Sequence, residues 1–152
     1  MNNNRIQEEV PQSFHHEEIH EAINELKTFW DEVNQYGQGP KYEEMSLKLS
    51  QFRSLLANHF VEEQYFLLSL IKRGARINQA QYGQILEEHT VFLERLADDI
   101  ERLESGTHRF RNWASVWDEF DDIIDQIAVH EVAEQDMITA AVEFQDEQIQ
   151  QQ

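Results

Sequence analysis

The sequence has no cysteine, only five glycines and two prolines, and few basic residues. The lack of cysteine excludes disulfides, thiolate metal sites, iron-sulfur clusters and thiol catalysis, so any metal must be held by nitrogen and oxygen. The scarcity of glycine and proline, together with many Glu, Gln, Leu, Ala and Ile residues, favours long helices over sheets. We therefore predict an all-α protein.

The charge balance narrows the possible partners. Twelve basic residues against thirty acidic ones give a formal net charge of −18, which repels phosphate backbones and anionic lipid surfaces. The longest apolar run, at positions 65–71, is too short to span a bilayer, and the opening MNNNRIQEEV lacks the apolar core of a signal peptide. These features argue against nucleic acid and membrane partners and lead us to expect a cytoplasmic protein.

Turn-forming residues divide the chain into four segments. They cluster at 37–40, 74–78 and 105–112, and each segment between them carries apolar residues at helical spacing. Leu86 and Phe92 belong to the third stripe and Ile124 to the fourth, while Asn78 with Gln81 resembles a capping box. Short connections make neighbouring helices antiparallel, which predicts an up-down-up-down four-helix bundle. Within one domain, we assign 1–12 to a flexible N-terminal segment, 13–144 to the bundle and 145–152 to a polar C-terminal tail.

Two of the apolar stripes are interrupted by the same polar element, H-x-V-x-E-Q. It reads HFVEEQ at 59–64 and HEVAEQ at 130–135. Each copy places a histidine and a glutamate one turn apart at interior positions: His59 with Glu63, and His130 with Glu134. His89 interrupts the third stripe. Because a buried carboxylate without a partner is costly, we predict compensation by divalent cations held in the bundle core.

The first segment offers His15, His16 and His20 as a further ligand. Helical angle does not separate His15 from His16, and His20 points further from the apolar stripe. The separation of His16 from His59 nearly equals that of His89 from His130, as expected for a duplication. At a rise of roughly 1.5 Å per residue, these four histidines lie at levels that differ by less than about 8 Å. All of them can therefore share one layer of a bundle.

These motifs resemble those of hemerythrin-like, or HHE cation-binding, domains from Ser13 to Phe144. The residues that carry the resemblance are His16-Glu-Glu-Ile19 with Ile23, Asn58-His59-Phe60-Val-Glu-Glu63, His89 with Phe92 and Leu96, and His130-Glu-Val-Ala-Glu134. The resemblance implies a four-helix bundle with a non-haem di-iron centre, in which two iron ions are bridged by two carboxylates. The implied ligands are His16, His59, Glu63, His89, His130 and Glu134.

Two positions depart from the oxygen-carrying members of that family. Those proteins add a histidine where this chain has Leu93, and they use a His-x-x-x-x-Asp spacing where this chain has Gln135. The pattern is more similar to the family's iron sensors and to its di-iron proteins of nitrosative stress and iron-centre repair. It implies a protein that binds or senses dioxygen, nitric oxide or peroxide.

The same sequence pattern admits other functions. The same ligands could serve an enzyme that consumes peroxide or nitric oxide, or an iron store, and nitrogen and oxygen ligands also admit manganese and zinc. A metal-free helical interaction module is the alternative from another class. Gln64 and Gln135 either orient ligands or belong to the helix surface. Glu62 and Glu131 are expected to be solvated, and His108 is expected to be a loop residue with no role.

Overall fold

The computed structural model describes residues 16–105 and 110–150, with side chains over 17–105 and 110–143. This part of the chain contains four α-helices and no strand, which confirms the all-α prediction. They are α1 (His16–Gln35), α2 (Tyr42–Lys72), α3 (Gln79–Glu104) and α4 (Trp113–Gln150). None of these helices combines the length and apolar character needed to cross a membrane.

The turn residues define where the helices begin and end. The Asn78 side chain accepts hydrogen bonds from the backbone N–H groups of Ala80 and Gln81, at 2.9 and 3.2 Å, and so caps the start of α3 as predicted. Asn112 similarly accepts the N–H of Ser115, at 2.8 Å, at the start of α4. After α2, Gly74 has a φ of +91°, a conformation that residues with a Cβ rarely adopt. These local signals mark the end of α2 and the starts of α3 and α4.

The core consists of two apolar clusters with a polar layer between them. The large cluster contains buried residues of all four helices, among them Leu26, Leu56, Leu96 and Phe120, whereas the small cluster contains Leu67, Leu70, Ala75, Ile77, Ile85, Met137, Ile138 and Ala141. Along α2, α3 and α4, the buried histidines and glutamates fall between residues of the two clusters. The polar interruptions seen in the sequence therefore lie at one level of the fold.

At one position each in α3 and α4, the fully buried residue is the neighbour of the one that the predicted stripe contains. Ile85 is buried while Leu86 is half-buried, and Ile123 is buried while Ile124 is half-buried. Adjacent positions on a helix are about 100° apart, so a broad apolar face includes both, and the neighbouring helices determine which one is enclosed.

Candidate metal centre

Four titratable side chains from three helices meet in the polar layer. Glu63 comes from α2, His89 from α3, and His130 and Glu134 from α4, and each is only 2% exposed. One possible ligand atom from each residue lies within 4.8 Å of all the others, so this buried group could hold a metal ion. Four of the predicted ligands are thus brought together by the fold.

The distances show how closely the donor atoms converge. The Nε2 atoms of His89 and His130 are 3.0 Å apart, and His130 Nε2 is also 3.0 Å from Oε2 of Glu134. Nε2 of His89 lies 3.4 Å from Oε2 of Glu63 and 3.6 Å from Oε2 of Glu134. Both imidazole rings therefore direct the same nitrogen towards the two carboxylates.

His59 adjoins this group through Glu63. The His59 side chain is buried, and its Nε2 contacts Oε1 of Glu63 one turn further along α2. The two oxygens of Glu63 consequently face two different histidines, Oε1 towards His59 and Oε2 towards His89. A carboxylate placed in this way can serve as a bridge.

The donor set and its spacing fit a transition-metal ion. Bonds of about 2.0–2.2 Å place adjacent ligand atoms roughly 2.9 Å apart around an octahedral ion and roughly 3.4 Å apart around a tetrahedral one. The separations of 3.0, 3.4 and 3.6 Å among His89, His130, Glu63 and Glu134 are close to this range. Imidazole nitrogen with carboxylate oxygen is also the donor chemistry that such ions accept.

The electrostatics of the cluster favour the ionised form of Glu134. Burial alone would raise the pKa of Glu134, but hydrogen bonds from His130 and His89 outweigh burial and hold that pKa far below its ordinary value. Burial alone would lower the pKa of His89, yet the carboxylates of Glu134 and Glu63 raise it above its ordinary value. The carboxylates of Glu134 and Glu63 therefore favour the protonated form of His89, whose charge is opposite to theirs.

Aromatic rings enclose the histidines. The ring of Phe60 stacks on that of His89, with centroids 3.8 Å apart and planes 7° from parallel. Phe92 directs its edge at His130, at 5.4 Å and 88°. The imidazole rings are therefore held between apolar surfaces that limit contact with water.

The other ring nitrogens of His89 and His130, their Nδ1 atoms, contact residues outside the cluster. Nδ1 of His89 lies 3.1 Å from Nε2 of Gln64, and Nδ1 of His130 lies 3.4 Å from Oε2 of Glu88. Gln135, which holds the place of Gln64 in the second H-x-V-x-E-Q element, donates instead to Thr139 Oγ1 on its own helix, at 3.3 Å. The sequence does not predict the contact of Glu88 with His130, because Glu88 stands beside another acidic residue and resembles part of a solvated face.

Two of the three first-segment histidines, His16 and His20, lie on α1. His16 is the first residue of α1, but its side chain, like His15 and His108, lies outside the described residues. The side chain of His20 is 60% exposed and lies 3.5 Å from Glu131. His20 is therefore a surface residue rather than part of the buried group, as its position off the stripe predicted. Glu131 is partly buried rather than freely solvated.

A groove of about 960 Å³ runs between α3 and α4 and reaches the cluster. It is lined by Ala80, Gly83, Gln84, Glu87, Glu88, Val91, Phe92, Asp125, Gln126, Val129 and His130. Since His130 belongs to the buried group and Val91 and Val129 lie at the surface, the groove connects solvent with one wall of the cluster.

No protein-family model, curated protein or solved structure matches this chain.

Proposed function

We propose that this chain is a hemerythrin-like protein with a non-haem di-iron centre that binds or senses a small oxidant. The observation that carries the proposal is the convergence of Glu63, His89, His130 and Glu134 in a core that is largely apolar. Two carboxylates and two imidazoles at one buried point are costly without a compensating cation. The repeated H-x-V-x-E-Q element supplies three of these four residues.

Two features support a pair of ions rather than one. Glu63 directs one oxygen towards His59 and the other towards His89, as a carboxylate shared by two ions would. In the resemblance, His16 completes a set of two histidines for each ion. The proposed ligands are accordingly His16, His59, Glu63, His89, His130 and Glu134.

Contacts between helices support the antiparallel bundle in which such a centre would lie. Between α2 and α3, Ser46 bonds Glu104 near the start of one helix and the end of the other, whereas Gln64 meets His89 further along. Between α1 and α4, Trp30 stacks on Trp117, and His20 meets Glu131. In each pair of helices, later residues of one contact earlier residues of the other, as in an up-down-up-down arrangement.

The protein residues would determine which molecules reach the centre. Iron held by nitrogen and oxygen ligands supplies reversible one-electron chemistry and coordination of small ligands. Phe60 and Phe92 pack against the histidines, and the four clustered side chains are each only 2% exposed, so bulk water and large molecules are kept from the centre. This combination favours dioxygen, nitric oxide or peroxide over a large substrate.

The test is the response of the iron-loaded protein to these molecules. Protein loaded anaerobically with Fe(II) should change its visible absorption stoichiometrically with dioxygen, nitric oxide or peroxide. Glu63→Gln should abolish the change, and Glu62→Gln, at the exposed neighbouring position, should retain it. Steady consumption of peroxide or nitric oxide would indicate an enzyme at the same centre instead of a binding protein. Absence of any response in iron-loaded protein would refute the proposal.

A further inference from the structure

One face of α3 forms a wall of the groove between α3 and α4. The residues on this wall recur at helical spacing: Ala80, Gly83, Gln84, Glu87, Glu88 and Val91. Asp125, Gln126 and Val129 line the opposite wall, on α4. Val91 is 41% exposed and Val129 is 72% exposed, so both walls present an apolar side chain to solvent. Exposed apolar surface rimmed by polar residues is typical of a site that binds another molecule.

The dimensions of the groove fit an α-helix. From Ala80 to Val91, α3 rises about 16 Å, which is about three helical turns. The volume of about 960 Å³ over this length gives a mean cross-section of roughly 60 Å², against roughly 80 Å² for a helix about 10 Å across. Because the backbone groups within α3 and α4 are bonded along their own helices, these walls cannot pair with an extended strand. A helix needs only side-chain contacts and is therefore the occupant that fits.

The charges of the groove favour a basic occupant. Glu87 and Asp125 are exposed carboxylates on opposite walls, and Glu88 adds a third that is partly exposed. Among the described residues, no lysine or arginine lines the groove. Lysines and arginines of a partner would be attracted here, whereas an acidic helix would be repelled. The net charge of −18 likewise disfavours a second copy of this chain.

Gly83 occupies a position where the fold of the chain does not require glycine. It lies inside α3, where glycine weakens a helix, and its φ is not positive. A Cβ at this position would meet no atom of the described chain within 4 Å, so close packing of the neighbouring helices does not exclude a side chain. The missing side chain instead leaves open space on the groove wall, which allows the backbone of another molecule to approach closely.

We propose that the groove between α3 and α4 is the docking site for a basic amphipathic α-helix of a partner protein. The apolar face of that helix would contact Val91 and Val129, and lysines or arginines beside this face would pair with Glu87 and Asp125. Its closest approach to α3 would be at Gly83. This inference goes beyond the proposed metal function and does not depend on it, since none of these residues is a proposed ligand.

A model peptide tests the proposal on the full-length, metal-free protein. The probe is a fluorescein-labelled peptide of about four helical turns, built only from leucine and lysine with the leucines at helical spacing. In the control peptide the same residues alternate, so that it carries the same charge without an apolar helical face. Fluorescence anisotropy in about 0.15 M salt, where long-range attraction is screened, should show at least about 10-fold tighter binding of the helical probe.

Substitutions on the groove walls should weaken this binding. Val129→Ser should lower the affinity for the helical probe about 10-fold, because it removes an apolar contact. Val61→Ser, at an exposed position of α2, should leave the affinity unchanged. Gly83→Gln fills the open space and should also weaken binding about 10-fold. Urea unfolding should find this variant more stable than the wild type, since glutamine favours a helix more than glycine does. A general defect in folding would lower both quantities.

A pair of double variants separates the groove from the overall charge. Glu87→Gln with Asp125→Asn removes a carboxylate from each wall and should weaken binding about 2- to 30-fold, as expected for two exposed charge pairs. Glu94→Gln with Asp121→Asn removes two exposed carboxylates of the same helices that do not line the groove. This control changes the net charge equally and should keep the wild-type affinity.

Three results would overturn the docking proposal. The first is equal binding of the helical and alternating peptides, and the second is an equal effect of the two double variants. The third is a dimer of the protein alone that Val129→Ser dissociates in sedimentation experiments, which would assign the groove to a second copy. Failure of the wild type to bind iron would refute the metal function alone, because the peptide measurements use metal-free protein.

Discussion

His89 and His130 lie 41 positions apart in the chain, yet their Nε2 atoms are 3.0 Å apart in the core. They meet between two apolar clusters, at the level where Glu63 and Glu134 also point inward. A protein stabilised only by apolar packing would place hydrophobic side chains there. The charged layer therefore suggests a function that the rest of the core does not require.

Removing one member of the cluster should destabilise the metal-free protein. His130→Ala leaves the buried Glu134 without the donor 3.0 Å away, and removing a hydrogen-bond partner of a buried polar group costs about 1–3 kcal/mol. Urea unfolding of metal-free wild type and variant measures this difference. His20→Ala, at an exposed position, should change the unfolding free energy by no more than about 0.5 kcal/mol. Equal effects of the two substitutions would contradict the account of the cluster.

Phe60 should affect metal binding through the ring it supports. Phe60→Leu keeps an apolar side chain but removes the flat face that stacks on His89 at 3.8 Å. Since such stacking is worth about 0.5–1.5 kcal/mol, zinc affinity should fall by roughly 2- to 10-fold. Phe52→Leu, in the large apolar cluster, should lower stability and leave zinc affinity unchanged. Loss of affinity in both variants would point to a general loosening of the core.

Asp99 should make stability depend on pH independently of the candidate metal centre. It is buried on α3, roughly 15 Å along the helix from His89. Burial and then the neighbouring charge of Glu119 on α4 raise the pKa of Asp99 from its ordinary 3.8 to about 7, although Arg102 opposes the shift. The same surroundings include Asp98, which raises the pKa further, and Arg95, which lowers it.

The native state therefore binds a proton on Asp99 that the unfolded state releases between pH 3.8 and about 7. The contribution of this bound proton to stability is complete below pH 3.8 and is lost as the pH rises to about 7. Asp99→Asn should thus gain stability over the wild type across this window, by up to a few kcal/mol. Urea unfolding at several pH values measures the gap, with Asp31→Asn, at an exposed position of α1, as the control. A gap independent of pH would contradict the assignment.

Arg95 should stabilise the contact between α3 and α4. Its guanidinium bonds the side chains of Glu119, Asp122 and Gln126 at 2.9, 3.0 and 3.0 Å. Arg95→Lys should lower the unfolding free energy by about 1 kcal/mol, because a compact ammonium cannot reach three acceptors arranged for a planar fork. The loss should shrink in about 1 M salt, where exposed charge pairs are screened. Urea unfolding at low and high salt measures this loss. The control Lys27→Arg, at an exposed position, should leave the unfolding free energy unchanged.

The helical class and most of the cluster can be predicted from the sequence alone. Periodicity and the punctuation at 37–40, 74–78 and 105–112 predict four helices, and the repeated H-x-V-x-E-Q element identifies His130, Glu134 and Glu63 as interior residues. The place of His89 in the apparent duplication identifies it as a fourth member. All four lie in the buried group, since interior position depends mainly on helical period.

The partners outside the cluster could not be predicted in the same way. Gln64 and Gln135 stand at equivalent positions of one motif, but only Gln64 faces a ring on a neighbouring helix. Glu88 reaches His130 from another helix, a relationship that local sequence does not encode. The packing of adjacent helices likewise determines whether Ile85 or Leu86 is buried, and whether Ile123 or Ile124 is buried.

The most direct test of the metal centre is the metal content of the purified protein. After anaerobic loading with Fe(II) and removal of free metal, elemental analysis should find two iron ions per chain in the wild type and in Glu62→Gln. Glu134→Gln, which changes a single oxygen of the buried group, should lose most of the bound metal while remaining folded. A wild type without stoichiometric metal, or a Glu134→Gln variant that retains both ions, would contradict the account.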